Sequence, residues 1–477
     1  MKFDTAMTIS TVSLERTMMV DMKKVTALLQ DVVSPSRVTD RDFDLIPYSR
    51  DLSPAEQKMP THVVMPETKE EIQAILRIAN DHEYPVYLRG GGTSHWDAYL
   101  PQEPGIMLDL GRMNKVLEIN ERDLVASVQP NCTWAKLDRE LRKKGLTYLC
   151  SEAGGPAMTV GGSVMKAGGG PHSTAKFGFH GNQDIIALEM VLPNGDIVET
   201  GSAAWPSAGK FKRQCLGPDL AGMFIGAEGI LGVCTELSLR IRPVTDISER
   251  LTATMKTLDD VIEFGHFINR HVGDEYMQGI YLWVDPSAPD VFFLMMDIFG
   301  YEQEIVDHRK KKIIEKIKEL GGEIGDRAPA DDYFGRILTG LADLFNTGVW
   351  HFFGAGSLRI DDITFLYKVW REEVIQKRGY TKAGFGGQIL PRDWLAFMVT
   401  NYREPDDWKE LVKMADEIDE ITLNGPVVPY GIGGRDGLRR FVAERDTGYY
   451  RLLKTLKKTL DPKNILQRGI FIPEEEL

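Results

Sequence analysis

The spacing of apolar and polar positions changes along the chain, and each change predicts an element. Ile72, Ile75, Leu76 and Ala79 fall on one face of a 3.6-residue period. Thr68, followed three residues later by Glu71, makes a capping box at its start, and Pro85 sets its end. The apolar run Val86-Tyr87-Leu88 then leads, as a short strand, straight into Arg89-Gly90-Gly91-Gly92-Thr93-Ser94. Leu124–Val128 has the pattern of a further strand, and Trp134–Leu141 that of a helix. Ile186–Leu192 and Ile197–Glu199 flank Pro193-Asn194-Gly195-Asp196, and Asn-Gly tolerates the positive φ of a tight turn, so a hairpin is predicted there. Val233, Thr235, Leu237, Leu239 and Ile241 alternate strictly up to Pro243, as a half-buried strand should.

From about residue 244 the pattern shifts. Helical spacing covers Leu258–His271 and Ile305–Leu320, with the apolar Val291–Met296 between them as a strand. A last helix, Tyr449–Leu460, places Leu452, Leu453, Leu456 and Leu460 on one stripe. Residues 1–55 are weakly patterned. The whole is α+β, without internal repeats.

Composition narrows the function classes. The formal charge of −13 argues against tracking a nucleic-acid backbone, which needs a basic face. Cys132, Cys150, Cys215 and Cys234 lie far apart and form no CxxC pair, which predicts buried thiols rather than a disulfide frame or a metal site. The N-terminal stretch has no apolar core of signal-peptide length, and no apolar run approaches the ~20 residues of a membrane span, so a cytoplasmic protein is expected.

The glycines gather in three clusters: Arg89–Ser94, Thr159–Gly170 and Gly226–Gly232. Two readings are open. They are tight turns alone, or they let backbone approach a bulky ligand and present N–H groups to an anion such as pyrophosphate. GxxxxGK[ST], GxGxxG after a strand and GxSxG are all absent, which disfavours a P-loop, a Rossmann unit and a nucleophile elbow.

The ordered series Pro66-Glu67-Thr68, RGGGTS (89–94), LDLGRMNKVLEI (108–119), VQPNCTW (128–134), TVGGSVMKAGGGPHSTAKFG (159–178), LEMVLPNGDIVETG (188–201), GPDLAGMFIGAEGILGVCTELSLRIRP (217–243) and LDPKNILQRG (460–469) resembles the FAD-linked oxidoreductases of the vanillyl-alcohol oxidase and p-cresol methylhydroxylase superfamily. The resemblance implies a p-cresol methylhydroxylase-type FAD-binding domain at 56–245, a substrate-cap domain at 246–430, and a segment at 431–477 that returns to the first domain, with 1–55 preceding them. By the same resemblance, Arg89, Gly90, Gly91, Gly92, Thr93 and Ser94 match the pyrophosphate loop. Thr159, Val160, Gly161 and Gly162 match the segment along the flavin and ribityl chain. Gly168, Gly169, His172, Ser173, Lys176 and Gly178 match the loop beside the ring system, although that stretch is one residue longer here and Lys166 or Ala167 stands where the family often has Asn. Gly226, Glu228, Gly229, Gly232 and Val233 match the late FAD segment. Relatives that link flavin to a histidine in the first loop carry it where Thr93 stands, and His95 is two positions late. His351 is the cap-domain candidate for linkage, and non-covalent FAD is expected.

The C-terminal half most resembles the D-2-hydroxyacid dehydrogenase and glycolate oxidase branch, with departures. Pro429-Tyr430 replaces that branch's Glu-His pair, and Gly387 and Gln388 stand where its other metal element falls. No metal is therefore expected. Tyr430 with Arg435 can instead bind a carboxylate or phenolate against the flavin; Arg359 is a further catalytic candidate, with Arg392 and Tyr449 behind it. The implied activity is oxidation of a small alcohol or hydroxy acid by hydride transfer to flavin N5. Oxidation of a para-substituted phenol is the alternative, and a flavin-bearing electron-transfer subunit is a third reading from another class. The partners expected are a small-molecule substrate, a redox partner protein and a second copy of the chain, with no nucleic acid.

Overall fold

The computed structural model describes residues 24–51, 53, 55–94, 99–149, 156–168, 184–214, 217–245, 247–272, 277–335, 349–390, 392–402, 408–430 and 436–477. The architecture is α+β and consists, among the described residues, of three sheets. The first orders its strands Val38–Thr39, His62–Val64, Ile106–Asp109 and Val86–Arg89, the last three mutually parallel. Helix Lys69–His82 supplies the crossover and buries Ile72, Ile75, Leu76 and Ala79; Thr68 caps it by accepting from Glu71 N.

The second sheet is antiparallel and runs Val116–Asn120, Val125–Val128, Val233–Pro243, Ile185–Val191, Ile197–Glu199. Leu146–Tyr148 pairs with the far end of Val233–Pro243. The expected hairpin is present, with Gly195 at φ +85°. Beneath it, Trp134, Leu137, Leu237 and Leu239 share one core with Tyr450 and Leu453 of the last helix.

The third sheet has eight antiparallel strands in the order Glu323–Ile324, Ser248–Met255, Phe292–Phe299, Met277–Val284, Gly384–Leu390, Asp393–Tyr402, Val349–Arg359, Val428–Pro429. Period-two alternation gives it two faces. Leu282, Phe385, Trp394, Met398 and Phe353 form a large apolar core on one side, together with helical residues such as Phe264 and Trp370. The opposite face carries Tyr281, Trp283, Leu395, Phe397 and Val399.

The last helix, Gly448–Leu460, corrects the predicted stripe. It buries Tyr450, Leu453 and Lys457, while Leu452 is 58% exposed. Lys457 is the reason. Its Nζ donates to Asp461 Oδ2 (2.6 Å), the Leu466 carbonyl (2.6 Å) and the Ile230 carbonyl (3.0 Å), and both side chains of the pair are essentially solvent-free. Asp461 in turn accepts from the N–H groups of Ile465 and Leu466. The segment that follows pairs in parallel with Val86, Val86 N donating to Ile465 O and Gln467 N to Val86 O. Residues 461–467 thus extend the edge of the first sheet at the strand that feeds the first glycine loop.

Burial pushes the Lys457 pKa down, and Asp461 opposes that shift. A buried pair of this kind is costly to break from one side. Lys457→Met is expected to lose about 3 kcal/mol or more in urea denaturation, because it strands a buried carboxylate. Lys457→Met/Asp461→Leu is expected to lose less than the two single substitutions summed.

Candidate active site

The first glycine loop is braced from outside. Arg89 does not point into it: Nη1 donates to the Pro47 carbonyl at 2.7 Å, and the guanidinium lies over the rings of Tyr48 (4.6 Å) and Tyr99 (5.2 Å). Tyr48 donates to Asp109 Oδ2 and Tyr99 to the Gly92 carbonyl. Inside the brace, the N–H groups of Gly90, Gly91, Gly92 and Thr93 have no acceptor among the described residues. A row of unpaired N–H donors is what a diphosphate requires.

The glycines here are required by contact. A Cβ on Gly91 would lie 2.1 Å from the Ala157 carbonyl oxygen, one on Gly90 2.9 Å from Thr159 Oγ1, and one on Gly161 2.7 Å from Pro130. Segments 89–94, 130–131 and 157–162 therefore touch through their backbones. Thr159 caps helix Val160–Lys166 by accepting from Gly162 N, while Val160 N and Gly161 N donate to the Cys132 and Pro130 carbonyls. These N–H groups are already used, so Thr159–Gly162 builds the wall of the site rather than offering donors. Asn131, which the sequence reading passed over, has a buried Oδ1 with no partner among the described residues, 3.4 Å from the Cβ position of Gly90. Unpaired donors beside an unpaired acceptor fit FAD, which carries both phosphate oxygens and ribityl hydroxyls.

The third cluster closes this site from another side. Gly226, Glu228 and Gly229 all have positive φ (+76°, +48° and +81°). Glu228 N donates to the Met165 carbonyl, and the Glu228 carbonyl accepts from Gln467 Nε2 at 2.9 Å. Gln467 Oε1 accepts from Leu88 N at 2.9 Å, so one side chain ties the strand before the first loop to the third cluster. Burial pushes the Glu228 carboxyl up to about 7 despite the opposing charge of Lys166, and its Oε2 has no partner among the described residues. Val233 is fully buried in the core and Gly232 packs under Val191. They support the site without facing it. Gly168 closes the helix that Thr159 opens, donating to the Ser163 carbonyl. Gly169, His172, Ser173, Lys176 and Gly178 lie outside the described residues, as do His95 and Arg435.

Tyr430 lies where the third sheet meets these loops. Its N–H donates to the Ala355 carbonyl, and it packs on the face made by Leu395, Phe397 and Val399. Lys166 Nζ stands 5.9 Å from its ring centroid. Arg359 is not brought to this seam. It ends its strand with an 81% exposed side chain bonded to Asp362, which corrects its expected place in the substrate site. Arg392 and Tyr449 are also exposed. His351 alternates with Phe352, whose ring joins the Tyr430 face, and stacks instead beside Phe353, so it points away from the seam. Among the described residues no helix is long and apolar enough to cross a membrane, and no group of three or more metal-ligating side chains occurs. Cys132 and Cys234 are buried free thiols, while Cys150 and Cys215 lie outside the described residues.

The Glu228 shift has a sign that can be measured. Folding raises this carboxyl from its ordinary 4.5 to about 7, so between those values only the unfolded chain releases the proton. Stability is therefore full below the unfolded value and falls as pH rises through the folded one, by up to about 3 kcal/mol. Glu228→Gln removes this loss. At constant FAD its melting temperature is expected to exceed wild type by more at pH 8 than at pH 5.

Comparison with known proteins agrees with the geometry. Residues 60–201 match the FAD binding domain family. Glycolate oxidase subunit GlcD of Bacillus subtilis (strain 168) is 34% identical over 237 residues, which is 50% of this chain and 48% of that protein. The chain thus spans about half the length of that relative. An uncharacterized FAD-linked oxidoreductase of Mycobacterium tuberculosis (strain ATCC 25618 / H37Rv) is 25% identical over 472 residues, covering 94% of this chain and 99% of that one. The crystal structure of p-cresol methylhydroxylase with substrate bound superimposes with a TM-score of 0.79 at 20% identity, over 95% of this chain and 97% of the other. Residues 60–201 thus carry an FAD-binding domain, and the chain shares the overall fold of p-cresol methylhydroxylase.

Proposed function

We propose that this protein oxidises a small organic substrate bearing a hydroxyl group, an alcohol or hydroxy acid, by hydride transfer to FAD without a metal. The observation that carries this reading is the seam at which Tyr430 of the cap meets Lys166 of the flavin segment. FAD, when bound, supplies a two-electron acceptor. The chain's own residues do the rest. Gly90, Gly91, Gly92, Thr93 and Ser94 hold the diphosphate; Asn131, Thr159 and the Gly226–Gly229 turn confine the remainder. Tyr430 orients the substrate by its hydroxyl, assisted by Arg435, and the aromatic cap face excludes water from the reacting carbon. A second reading, oxidation of a para-substituted phenol, is favoured by the aromatic character of that face, where Tyr281, Tyr333, Phe352 and Phe397 lie within 6.3 Å of their nearest ring neighbours.

Two experiments test this. Gly91→Ala places a methyl group against the Ala157 carbonyl; the purified variant is expected to lose most of its flavin absorbance, and full retention would remove that loop from the site. Anaerobic mixing of the holoenzyme with a panel of hydroxy acids, alcohols and para-alkylphenols is expected to bleach the flavin with one class. Tyr430→Phe and Arg435→Ala should slow that bleaching about tenfold or more, with FAD still bound. A flavin that no panel member bleaches, but that a co-purified redox partner renders active, points to the electron-transfer reading.

A further inference from the structure

Glu228 stands where a glycine would be less strained. Its φ is +48°, between Gly226 at +76° and Gly229 at +81°, and a long side chain is disfavoured in that left-handed region. The turn is pressed between two elements that border the cofactor site. A Cβ on Gly226 would lie 3.2 Å from that of Ala167, just past helix Val160–Lys166. One on Gly229 would lie 2.5 Å from Leu88 Cδ1, two residues before Gly90. The Glu228 backbone is bonded on both sides, its N–H donating to the Met165 carbonyl and its carbonyl accepting from Gln467 Nε2. The main chain alone would serve the fold, yet the position carries a carboxyl.

That carboxyl has one atom unused. Oε2 is buried without a partner among the described residues, and a ligand that completes it is the simplest explanation. The surrounding charges decide which form it takes. Among the described residues the charge that acts on it is Lys166, whose Nζ also faces the Tyr430 ring at 5.9 Å. Arg89, at the end of the neighbouring strand, is turned to the Pro47 carbonyl, while Lys457 is paired with Asp461 and Arg468 with Glu103. FAD brings the negative charges of its diphosphate into this site, and they disfavour a further carboxylate. Burial acts in the same direction and holds the carboxyl at about 7. A neutral carboxyl has a proton to donate, and FAD offers carbonyl, ring-nitrogen and phosphate acceptors.

We propose that Glu228 holds FAD as a neutral carboxylic acid, donating a hydrogen bond to an acceptor atom of the cofactor, so that this one side chain couples FAD affinity to pH. The proposal rests on FAD filling the site described above. Once the carboxyl of the flavin-free chain has ionised, the bond can form only after a proton is taken from solvent. Binding at alkaline pH therefore takes up a proton, and FAD is held less tightly there.

The test titrates the full chain, stripped of flavin, with FAD from pH 6 to pH 8, a range in which FAD itself does not titrate. Flavin fluorescence gives the dissociation constant. Calorimetry in buffers of different ionisation enthalpy gives the protons exchanged. Wild type is expected to bind FAD about tenfold more weakly at pH 8 than at pH 6, and to take up most of one proton at pH 8. Glu228→Gln donates from its amide without titrating, so its affinity is expected to stay within about twofold over the range, with no proton uptake. A wild-type affinity that is constant or rises with pH overturns the proposal, the rise meaning a carboxylate that accepts from a cofactor hydroxyl. A folded Glu228→Gln that keeps the wild-type pH dependence overturns it too. If Glu228→Gln does not fold, the wild-type proton count decides: uptake supports the proposal, and no exchange or release overturns it. Failure to bind FAD at any pH overturns the cofactor reading together with the proposal, whereas binding that ignores pH overturns the proposal alone.

Discussion

The first and third glycine clusters are joined through a contact far along the chain, the buried pair of Lys457 and Asp461. Lys457 reaches the Ile230 carbonyl in the third glycine cluster and the Leu466 carbonyl in the C-terminal segment, while Asp461 fixes the N–H groups of Ile465 and Leu466. Five hydrogen bonds satisfy two ions that would otherwise be prohibitively costly to bury. Their directionality matters more than their sum. They set residues 465–467 against Val86, at the root of the first glycine loop. Residues 457–467 therefore act as a clamp between the strand that leads into the first glycine cluster and the third cluster.

Around this clamp the labour is divided by chemistry. Among the described residues, the glycine clusters contribute backbone: glycines where a Cβ would collide and N–H groups without acceptors. Arg89, the most prominent charge in the first loop, is spent on bracing it between Tyr48 and Tyr99. The eight-stranded sheet contributes side chains, an aromatic and apolar face. Tyr430 and Lys166 mark where the two meet.

Much of the fold was legible from periodicity. Helix Lys69–His82, the hairpin around Gly195 and strand Val233–Pro243 each lie where the apolar spacing puts them, although that strand is buried on both faces rather than half-buried, Cys234 and Ser238 being as covered as Leu237 and Leu239. The glycine clusters were legible by position, since close backbone approach leaves a trace in composition. What failed to show were interactions between distant segments. Lys457 interrupts the apolar stripe of the last helix, so hydropathy alone preferred the exposed Leu452. Arg359 was an attractive cation until its strand ended at the surface beside Asp362. Asn131 stood inside a motif already in view, without a periodic signal to single it out.

The clamp is tested most directly at Gln467, whose side chain bridges Leu88 N and the Glu228 carbonyl. The measurement is the equilibrium dissociation constant of FAD for Gln467→Ala against wild type, by flavin fluorescence at fixed pH. Loss of both bonds leaves the two glycine loops free to separate, and the account predicts FAD binding weakened by about tenfold or more in a chain that remains folded. An unchanged dissociation constant would contradict it.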